Sequence, residues 1–215
     1  MLRAQKVVYF VRHGQSRANT LPVFQPLESP LSKKGVEQAR LIAERAAKLP
    51  FEALISSPLM RAKSTAEQIG QMTGKIPDYS DLFVERIKPI AITGKSFANP
   101  VAMKIWKAWD HTLYTPGARV DDGENFDDML ERIDAGLEYL LKRPERKLLV
   151  VTHSFFLKAL MARVVLGDAL TGEAHRHFQL RTFMQNTGLS GIKYTKHFDG
   201  NRWRLWIFND HAHLA

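Results

Sequence analysis

The chain of 215 residues is 45% hydrophobic and 25% charged, which is ordinary for a water-exposed globular protein. No run approaches the roughly 20 apolar residues that a membrane-spanning helix needs, and the first apolar run is too short for the core of a signal peptide. The sequence has no cysteine, which excludes disulfides, thiolate nucleophiles and cysteine-type zinc sites. We therefore expect a cytoplasmic protein that does not associate with membranes.

The formal net charge of +9 attracts anions, and these include nucleic acid, anionic lipid and small phosphorylated compounds. The basic residues are scattered along the chain, apart from Lys142, Arg143, Arg146 and Lys147, which a solvated helix end explains. We therefore expect a small phosphorylated substrate and no nucleic-acid partner. A homodimer stays open as an alternative to a monomer.

The first half of the chain alternates strand and helix patterns. The β-branched and aromatic residues 6–12 (KVVYFVR) predict a buried strand. Apolar residues at helical spacing then predict a helix over residues 32–49, with Ser32 as its N-cap. A second strand is predicted at residues 53–56, followed by a helix over residues 57–73 that has proline in its first turn.

The second half opens with an irregular segment, residues 82–123, that proline and glycine interrupt. We interpret it as an excursion over the active-site face, with one helix at about residues 101–109. Apolar spacings of three and four predict a long helix over residues 126–141, and residues 147–152 (KLLVVT) predict a buried strand before an apolar helix. Further strand-like runs lie at residues 177–180, 190–194 and 203–208.

Alternating strands and helices predict an α/β fold of three layers, with a mainly parallel sheet and helices on both faces. We expect residues 1–215 to form one domain. Ligands of such sheets bind beyond the carboxyl ends of the strands. Arg12 and His13 follow the first strand, whereas Arg61 follows the second and His153 follows the KLLVVT strand. Three strand ends are thus predicted to bring two arginines and two histidines to one face.

These residue types suit the chemistry of a phosphate monoester. Its charge of about −2 favours the planar donors of Arg12 and Arg61, and Ser154 begins a helix whose amides add neutral donors. A neutral imidazole attacks phosphorus if a hydrogen bond holds its second nitrogen, and we assign this role to His13. The leaving alkoxide needs a proton, and Glu85, at the entry to the excursion, is the best-placed donor.

Each of these side chains also has a plain structural interpretation. A single histidine after a buried strand, such as His153, is more often a hydrogen-bonded core residue than a ligand. Arg61 alone would be an ordinary helix arginine, and Glu85 with Arg86 would be a surface ion pair. The order of the residues along the chain, not any one of them, favours the functional interpretation.

Metal and cofactor chemistry finds little support in the sequence. The alternate histidines His175 with His177, and His211 with His213, have no nearby carboxylate pattern and are weak metal ligands. We assign no metal and expect no cofactor.

The excursion itself carries side chains whose role stays open. Trp106 and Trp109 are three residues apart and fit one apolar helix face, although they lie where the segment would cover the pocket. Lys88, Lys95 and Lys104 are either solvated charges or contacts to a second anionic group of the substrate.

Five motifs occur in a fixed order: residues 11–19 (VRHGQSRAN), 29–35 (SPLSKKG), 56–62 (SSPLMRA), 123–124 (GE) and 151–153 (VTH). This ordered set resembles the histidine phosphatase superfamily, the phosphoglycerate-mutase-like group. The resemblance covers about residues 6–160, with a weaker trace at Asn186, and it implies a phosphoglycerate-mutase-like fold.

The resemblance implies a role for each residue at the strand ends. His13 becomes phosphorylated, while Arg12, Arg61 and His153 bind the phosphoryl group. Glu85 is the proton donor, and no metal takes part.

Further residues enter through the same resemblance. Ser16 and Asn19 lie where such enzymes contact the phosphate or support the nucleophile loop, and Glu124 helps to order the pocket. Because the position of the acid varies among members, Asp81 and Glu124 are alternative proton donors to Glu85.

Two departures from the family pattern bear on the substrate. Residues 86–95 (RIKPIAITGK) replace the glycine-rich, tyrosine-containing stretch that usually follows the acid in family mutases. Ser154 and Phe155 follow the second histidine, where many members have glycine. We therefore predict a metal-independent phosphatase; the alternatives are a phosphomutase of the same fold and a non-catalytic protein that binds anions or nucleic acid.

Overall fold

The computed structural model describes residues 4–196, 200 and 202–215. In this part of the chain the strands form one mixed sheet with the spatial order β3-β2-β4-β1-β5-β6. The first four strands in this order are parallel to one another. Strand β5 pairs antiparallel with β1, and β6 pairs antiparallel with β5. The strands are β1 (Ala4–Arg12), β2 (Ala53–Ser56), β3 (Pro77–Tyr79), β4 (Lys147–Thr152), β5 (Leu189–Thr195) and β6 (Arg202–Asp210).

Helices cover both faces of this sheet, which confirms the predicted α/β class. Helices α1 and α2 pack on one face, whereas α4 and α5 pack on the other and α6 contacts α5. Within the described residues, no helix is long and apolar enough to cross a bilayer. The helices are α1 (Lys33–Ala46), α2 (Met60–Thr73), α3 (Pro100–His111), α4 (Phe126–Lys142), α5 (Ser154–Leu166) and α6 (Gly172–Arg181).

Strand β1 shows how the sheet is held between the two helical layers. Val8 and Phe10 belong to the core cluster under α4 and α5, while Tyr9 and Val11 belong to the cluster under α1 and α2. All four side chains are buried. Successive side chains of a strand point to opposite faces, so an uninterrupted apolar run is stable only between two layers. Each such side chain contributes about 1.5–3 kcal/mol when it leaves water.

Most of the predicted elements of the first half are confirmed, including strand β2 at its predicted bounds. Ser32 caps α1, because its hydroxyl accepts a hydrogen bond from the Gly35 N–H at 3.0 Å. The predicted start of the next helix at residue 57 is wrong, since α2 begins at Met60. Leu59 has extended backbone angles, and Ser57 stays outside the helix with its hydroxyl turned toward His153.

The predicted strand at residues 177–180 is also wrong, because these residues lie inside α6. Thr171 caps this helix through its hydroxyl, which accepts a hydrogen bond from the Ala174 N–H at 3.2 Å. His175 is the one buried residue of this helix. The alternation of buried and exposed side chains that a strand would show is absent from these residues. Edge strand β3 has three residues and was not predicted.

A close approach of two glycines joins the loop after β1 to the first turn of α1. A methyl group on Gly35 would lie 1.9 Å from the Gln15 carbonyl oxygen, and one on Gly14 would lie 2.5 Å from the Gly35 carbonyl oxygen. Real side chains do not tolerate such distances to backbone atoms. Because neither glycine has a side chain, α1 can lie this close to the loop that follows Arg12.

We predict that Gly35→Ala lowers the free energy of unfolding by about 2 kcal/mol, because the added methyl group overpacks against backbone. Gly136→Ala is the control: its methyl group would meet Phe83 at 3.5 Å, an ordinary contact, within helix α4. Alanine is the better helix former, so this variant should keep or raise stability by up to about 1 kcal/mol. Urea unfolding of both variants measures the difference, and equal effects would contradict the close-approach argument.

Candidate active site

The carboxyl ends of β1, β2 and β4 meet at one edge of the sheet. The His13 N–H donates to the Thr152 carbonyl at 2.9 Å, and the Ser57 N–H donates to the Val151 carbonyl at 2.9 Å. These backbone bonds continue the ladders by one residue beyond the strands. The residues that follow each strand are thus held side by side, as the parallel topology requires.

His13 is buried, with 2% of its surface exposed, and both of its ring nitrogens have defined neighbours. Nδ1 lies 2.7 Å from the Gly14 carbonyl oxygen, an acceptor that requires the proton to be on Nδ1. Nε2 therefore carries the lone pair, and it accepts a hydrogen bond from the Arg61 Nε at 3.3 Å. The ring is oriented with its unprotonated nitrogen toward the arginine.

The surroundings of His13 also keep its imidazole neutral. Burial lowers its pKa well below the ordinary value, and the positive charges of Arg61 and Arg12 lower it further, against a smaller opposing effect of the Gly14 hydrogen bond. A neutral imidazole is the form that can attack phosphorus.

Arg61 and Arg12 provide the positive charge of the site. Arg61 is 1% exposed, and burial lowers its pKa to about 10, so it stays protonated at neutral pH. Arg12 donates from Nη1 to the Met184 carbonyl, while its buried Nε has no hydrogen-bond partner within the described residues. Buried donors rarely stay unpaired. Their presence here fits a site built for an anion.

His153 is fully buried, and its ring centre lies 5.1 Å from that of His13. Its Nε2 is 2.8 Å from the Ser57 hydroxyl, which also accepts the Leu59 N–H at 3.3 Å. The hydroxyl can donate its proton to Nε2, and in that tautomer Nδ1 carries the proton of His153. Across the described residues Nδ1 has no partner, so in this tautomer it is a second buried donor available to an anion.

The Glu85 side chain contacts the first turn of helix α5, and its charge acts on the two arginines. Its Oε1 accepts hydrogen bonds from the N–H groups of Phe156 at 2.9 Å and Arg86 at 3.1 Å, and its Oε2 accepts the Phe155 N–H at 3.3 Å. The field of its carboxylate raises the pKa of both Arg12 and Arg61 against the effect of burial. Of the helix amides expected to face a phosphate, two are therefore already bound to Glu85.

The two alternative proton donors have different surroundings. Glu124 is buried and forms an ion pair with Arg132, with both carboxylate oxygens 2.7 Å from guanidinium nitrogens. It also accepts the Ile87 N–H at 3.1 Å, so it joins the excursion to helix α4. Asp81 is exposed in a short 3-10 helix. Of these three carboxylates, Glu85 is the one that accepts hydrogen bonds from the backbone just after strand β4.

Ser16 and Asn19 form a capping box after the nucleophile loop. The Ser16 hydroxyl accepts the Asn19 N–H at 3.2 Å and a hydrogen bond from the Gln25 amide, and the Asn19 side chain accepts the Ser16 N–H at 3.0 Å. Ser16 is buried and Asn19 is exposed. These contacts support the loop, and direct contacts of either residue with substrate stay predictions. The same holds for Ser154, the first residue of α5.

The loop before β5 contacts Arg12 and His13 on the side of β1 that faces away from β4. The Asn186 side chain donates to the His13 carbonyl at 2.9 Å, and the Thr187 N–H donates to the Arg12 carbonyl at 3.0 Å. Thr187 has a φ of 59°, a left-handed conformation that costs a β-branched residue on the order of 1–3 kcal/mol. Sequence reasoning found only Asn186, and only through the family resemblance.

Helix α2 adds a support that the sequence analysis also missed. The Thr65 hydroxyl accepts the Gly14 N–H at 3.1 Å and donates to the Arg61 carbonyl at 2.8 Å. One hydroxyl thereby joins the nucleophile loop to the turn that carries Arg61. The spacing of four residues between Arg61 and Thr65 was visible in the sequence, but the partner was not.

The alternate histidines have separate surroundings. His177 lies 3.8 Å from the exposed Glu173 carboxylate. His175 is buried against the rings of Phe126 and Phe155, and His213 contacts Arg45 and Thr187. For residues 4–196, 200 and 202–215, no cluster of three His, Asp or Glu residues is arranged to hold a metal ion.

A family model for the histidine phosphatase superfamily (branch 1) matches residues 8–210. The probable phosphoglycerate mutase GpmB of Enterobacter sp. (strain 638) is 31% identical over 215 residues, covering 96% of this chain and 94% of that protein. A solved mycobacterial glucosyl-3-phosphoglycerate phosphatase has a TM-score of 0.73 at 25% identity, covering 97% of this chain and 100% of that chain. YhfR of Bacillus stearothermophilus has a TM-score of 0.75 at 26% identity, covering 98% and 100%.

The buried histidines predict a loss of stability on mild acidification. The pKa of His13 and that of His153 lie well below 6.5, and burial lowers the pKa of His175 to about 4. Because the unfolded chain takes up these protons near pH 6.5, stability falls as the pH drops below that value. Each such histidine contributes about 1 kcal/mol between pH 6.5 and 5.5.

Urea unfolding in phosphate-free buffer at the two pH values measures this loss. The double variant His13→Gln/His153→Gln should lose about 2 kcal/mol less than the wild type over the same interval, since two titrating groups are gone. An equal loss in the two proteins would show that these histidines are not held neutral.

Proposed function

The chain belongs to the histidine phosphatase superfamily, and on this premise we propose that it hydrolyses phosphate monoesters through a phosphohistidine on His13. The observation that carries the proposal is the orientation of the nucleophile. The Gly14 carbonyl holds the Nδ1 proton at 2.7 Å, and Nε2 is left with its lone pair beside Arg61.

In the first half-reaction Nε2 of His13 attacks phosphorus, and the bond from phosphorus to the leaving oxygen breaks. Glu85, in its acid form, gives its proton to that oxygen, so that an alcohol leaves. Arg12, Arg61 and His153 bind the phosphoryl oxygens, and the unpaired Arg12 Nε and His153 Nδ1 become hydrogen-bonded. The buried charges act in a site of low dielectric, where they are more effective than in water.

In the second half-reaction the Glu85 carboxylate takes a proton from a water molecule. The water oxygen attacks phosphorus, the bond between phosphorus and Nε2 breaks, and its electron pair returns to His13. Phosphate leaves, and Glu85 is again in its acid form. Both steps need the nucleophile and the acid on opposite sides of one phosphoryl group; His13 follows β1, and Glu85 lies at the start of the excursion.

A phosphomutase is the second candidate, because the curated relatives carry the name probable phosphoglycerate mutase. A mutase would pass the phosphoryl group from His13 to another hydroxyl group instead of water. The stretch of residues 86–95, which departs from the mutase pattern, favours hydrolysis.

We predict that wild-type protein releases phosphate from a panel of monoesters in the presence of excess chelator and without any phosphoryl acceptor. His13→Ala should release none, because no other group supplies the lone pair, while its circular dichroism spectrum stays that of the wild type. Retained turnover in this variant would exclude the proposed nucleophile. Transfer to an added alcohol with no free phosphate would favour the mutase, and binding of oligonucleotides with no turnover would favour a binding protein.

For Glu85→Gln we predict a loss that depends on the leaving group. Turnover of alkyl phosphates should fall by roughly 10²–10⁴-fold, the usual contribution of a general acid. Formation of the phosphoenzyme from 4-nitrophenyl phosphate should fall far less, because nitrophenolate leaves without a proton. Asp81→Asn is the matched control and should leave the rates with both esters unchanged. If instead Asp81→Asn lost turnover of alkyl phosphates and Glu85→Gln kept it, Asp81 would be the proton donor.

A further inference from the structure

A cavity of about 590 Å³ opens directly beside Arg61 and Glu85. A proton donor must lie within hydrogen-bond reach of the leaving oxygen. If Glu85 is that donor, the organic part of the substrate has to extend into this cavity. The side chains that line it therefore decide which alcohols the site accepts.

Apolar surface makes up most of the wall of this cavity, although charged side chains line it as well. Leu27, Leu59, Val84, Ile87 and Ile90 contribute to its walls. Three of them are open to solvent: Leu27 is 55% exposed, Ile87 47% and Ile90 75%. Single exposed aliphatic residues are common on protein surfaces, but a group at the mouth of a site marks a surface that an apolar ligand covers.

The cations around the cavity, apart from Arg61, already have partners. Arg132 is paired with Glu124, and Lys88 donates to the Gln25 carbonyl at 3.1 Å. Arg86 donates to backbone carbonyls and a hydroxyl under the excursion, with its guanidinium 3.7 Å from the centre of the Trp109 ring. These contacts hold the guanidinium groups of Arg86 and Arg132 within the protein, and the Lys88 bond orients its ammonium group toward the Gln25 carbonyl.

Acidic side chains also border the cavity, which disfavours a second anionic group on the substrate. Asp81 and Asp122 both line it, and both are exposed. A carboxylate on the leaving group would meet their negative charge as well as the aliphatic walls. The polar, charged alcohol of a phosphoglycerate therefore fits this cavity poorly.

We propose that the substrates are phosphate monoesters of apolar alcohols, whose hydrocarbon part packs against Leu27, Ile87 and Ile90. This inference rests on the proposed hydrolysis and on Glu85 as its proton donor. A second cavity of about 470 Å³ lies beyond Lys88, which lines both cavities, and Phe24, Phe97 and Trp106 contribute to its walls. The inference assigns the leaving group to the first of the two.

The test is kcat/KM for phosphate release from ethyl, butyl and hexyl phosphate, together with 3-phosphoglycerate. The three alcohols are almost equally basic, so chain length changes the contact with the protein and not the intrinsic reactivity. We expect kcat/KM to rise by up to roughly fourfold for each methylene that is buried, and 3-phosphoglycerate to be slower than butyl phosphate.

The double variant Ile87→Ser/Ile90→Ser should flatten this series, so that kcat/KM for hexyl phosphate falls toward the value for ethyl phosphate in the same variant. Ile87 is about half exposed and Ile90 is largely exposed, so their replacement should change the unfolding midpoint little. Val165→Ser is the matched control, because Val165 is 54% exposed near the far end of α5. The control should keep the full dependence on chain length.

The outcomes separate the two proposals. Failure of every ester to release phosphate would overturn the hydrolytic function itself. Turnover that does not depend on chain length, or that is fastest with 3-phosphoglycerate, would overturn the apolar substrate class and leave hydrolysis standing. If Trp106→Ala lost the dependence of kcat/KM on chain length and the double isoleucine variant kept it, the leaving group would lie in the second cavity. That result would overturn the assignment to the first cavity.

Discussion

Two arginines and two histidines share one edge of the sheet, and the cost of burying their charge governs the site. Moving an ion out of water costs several kcal/mol even after relaxation. The histidines avoid this cost because their pKa values fall and they stay neutral, whereas the arginines remain charged. Glu85, the carboxylate whose field reaches both arginines, is held by backbone amides. The two arginines carry two positive charges and the Glu85 carboxylate one negative charge, so an excess of positive charge is left for the ligand. It matches a phosphate dianion when Glu85 is in its acid form, as the proposed first step requires.

The fold supplies the supports that this arrangement needs. Three parallel strands end at the same level, which no single helix or loop could achieve with residues so far apart in sequence. The glycines at positions 14 and 35 let helix α1 approach the nucleophile loop, and the Thr65 hydroxyl joins that loop to Arg61. In the proposed mechanism the residues at the strand ends recognise phosphate, while the irregular excursion provides the walls that contact the alcohol. Such a division allows one chemistry to serve different substrates.

Local patterns predicted the elements that create the site, because apolar runs and helical spacing report burial directly. Strands β1, β2 and β4 were recognisable in this way, and the residues after them were placed together by topology alone. Contacts between distant residues have no such local record: the hydrogen bond from Asn186 to the His13 carbonyl spans 173 positions. Short or ambiguous segments were missed for a related reason. Strand β3 is too short to show alternation, and the aromatic residues of α6 gave a strand pattern that capping at Thr171 overrides.

The central place of β1 in the sheet also bears on how the protein is made. This strand is synthesised long before its two neighbours, β4 and β5, which begin at Lys147 and Leu189. Pairing over such sequence distances is slow, because a long loop must close before any contact forms. Until Leu189 and the residues after it have been synthesised, the apolar KVVYFVR run lacks at least one of its neighbouring strands, which favours binding by chaperones. His13 acquires the hydrogen bond to its carbonyl only after Asn186 has emerged from the ribosome.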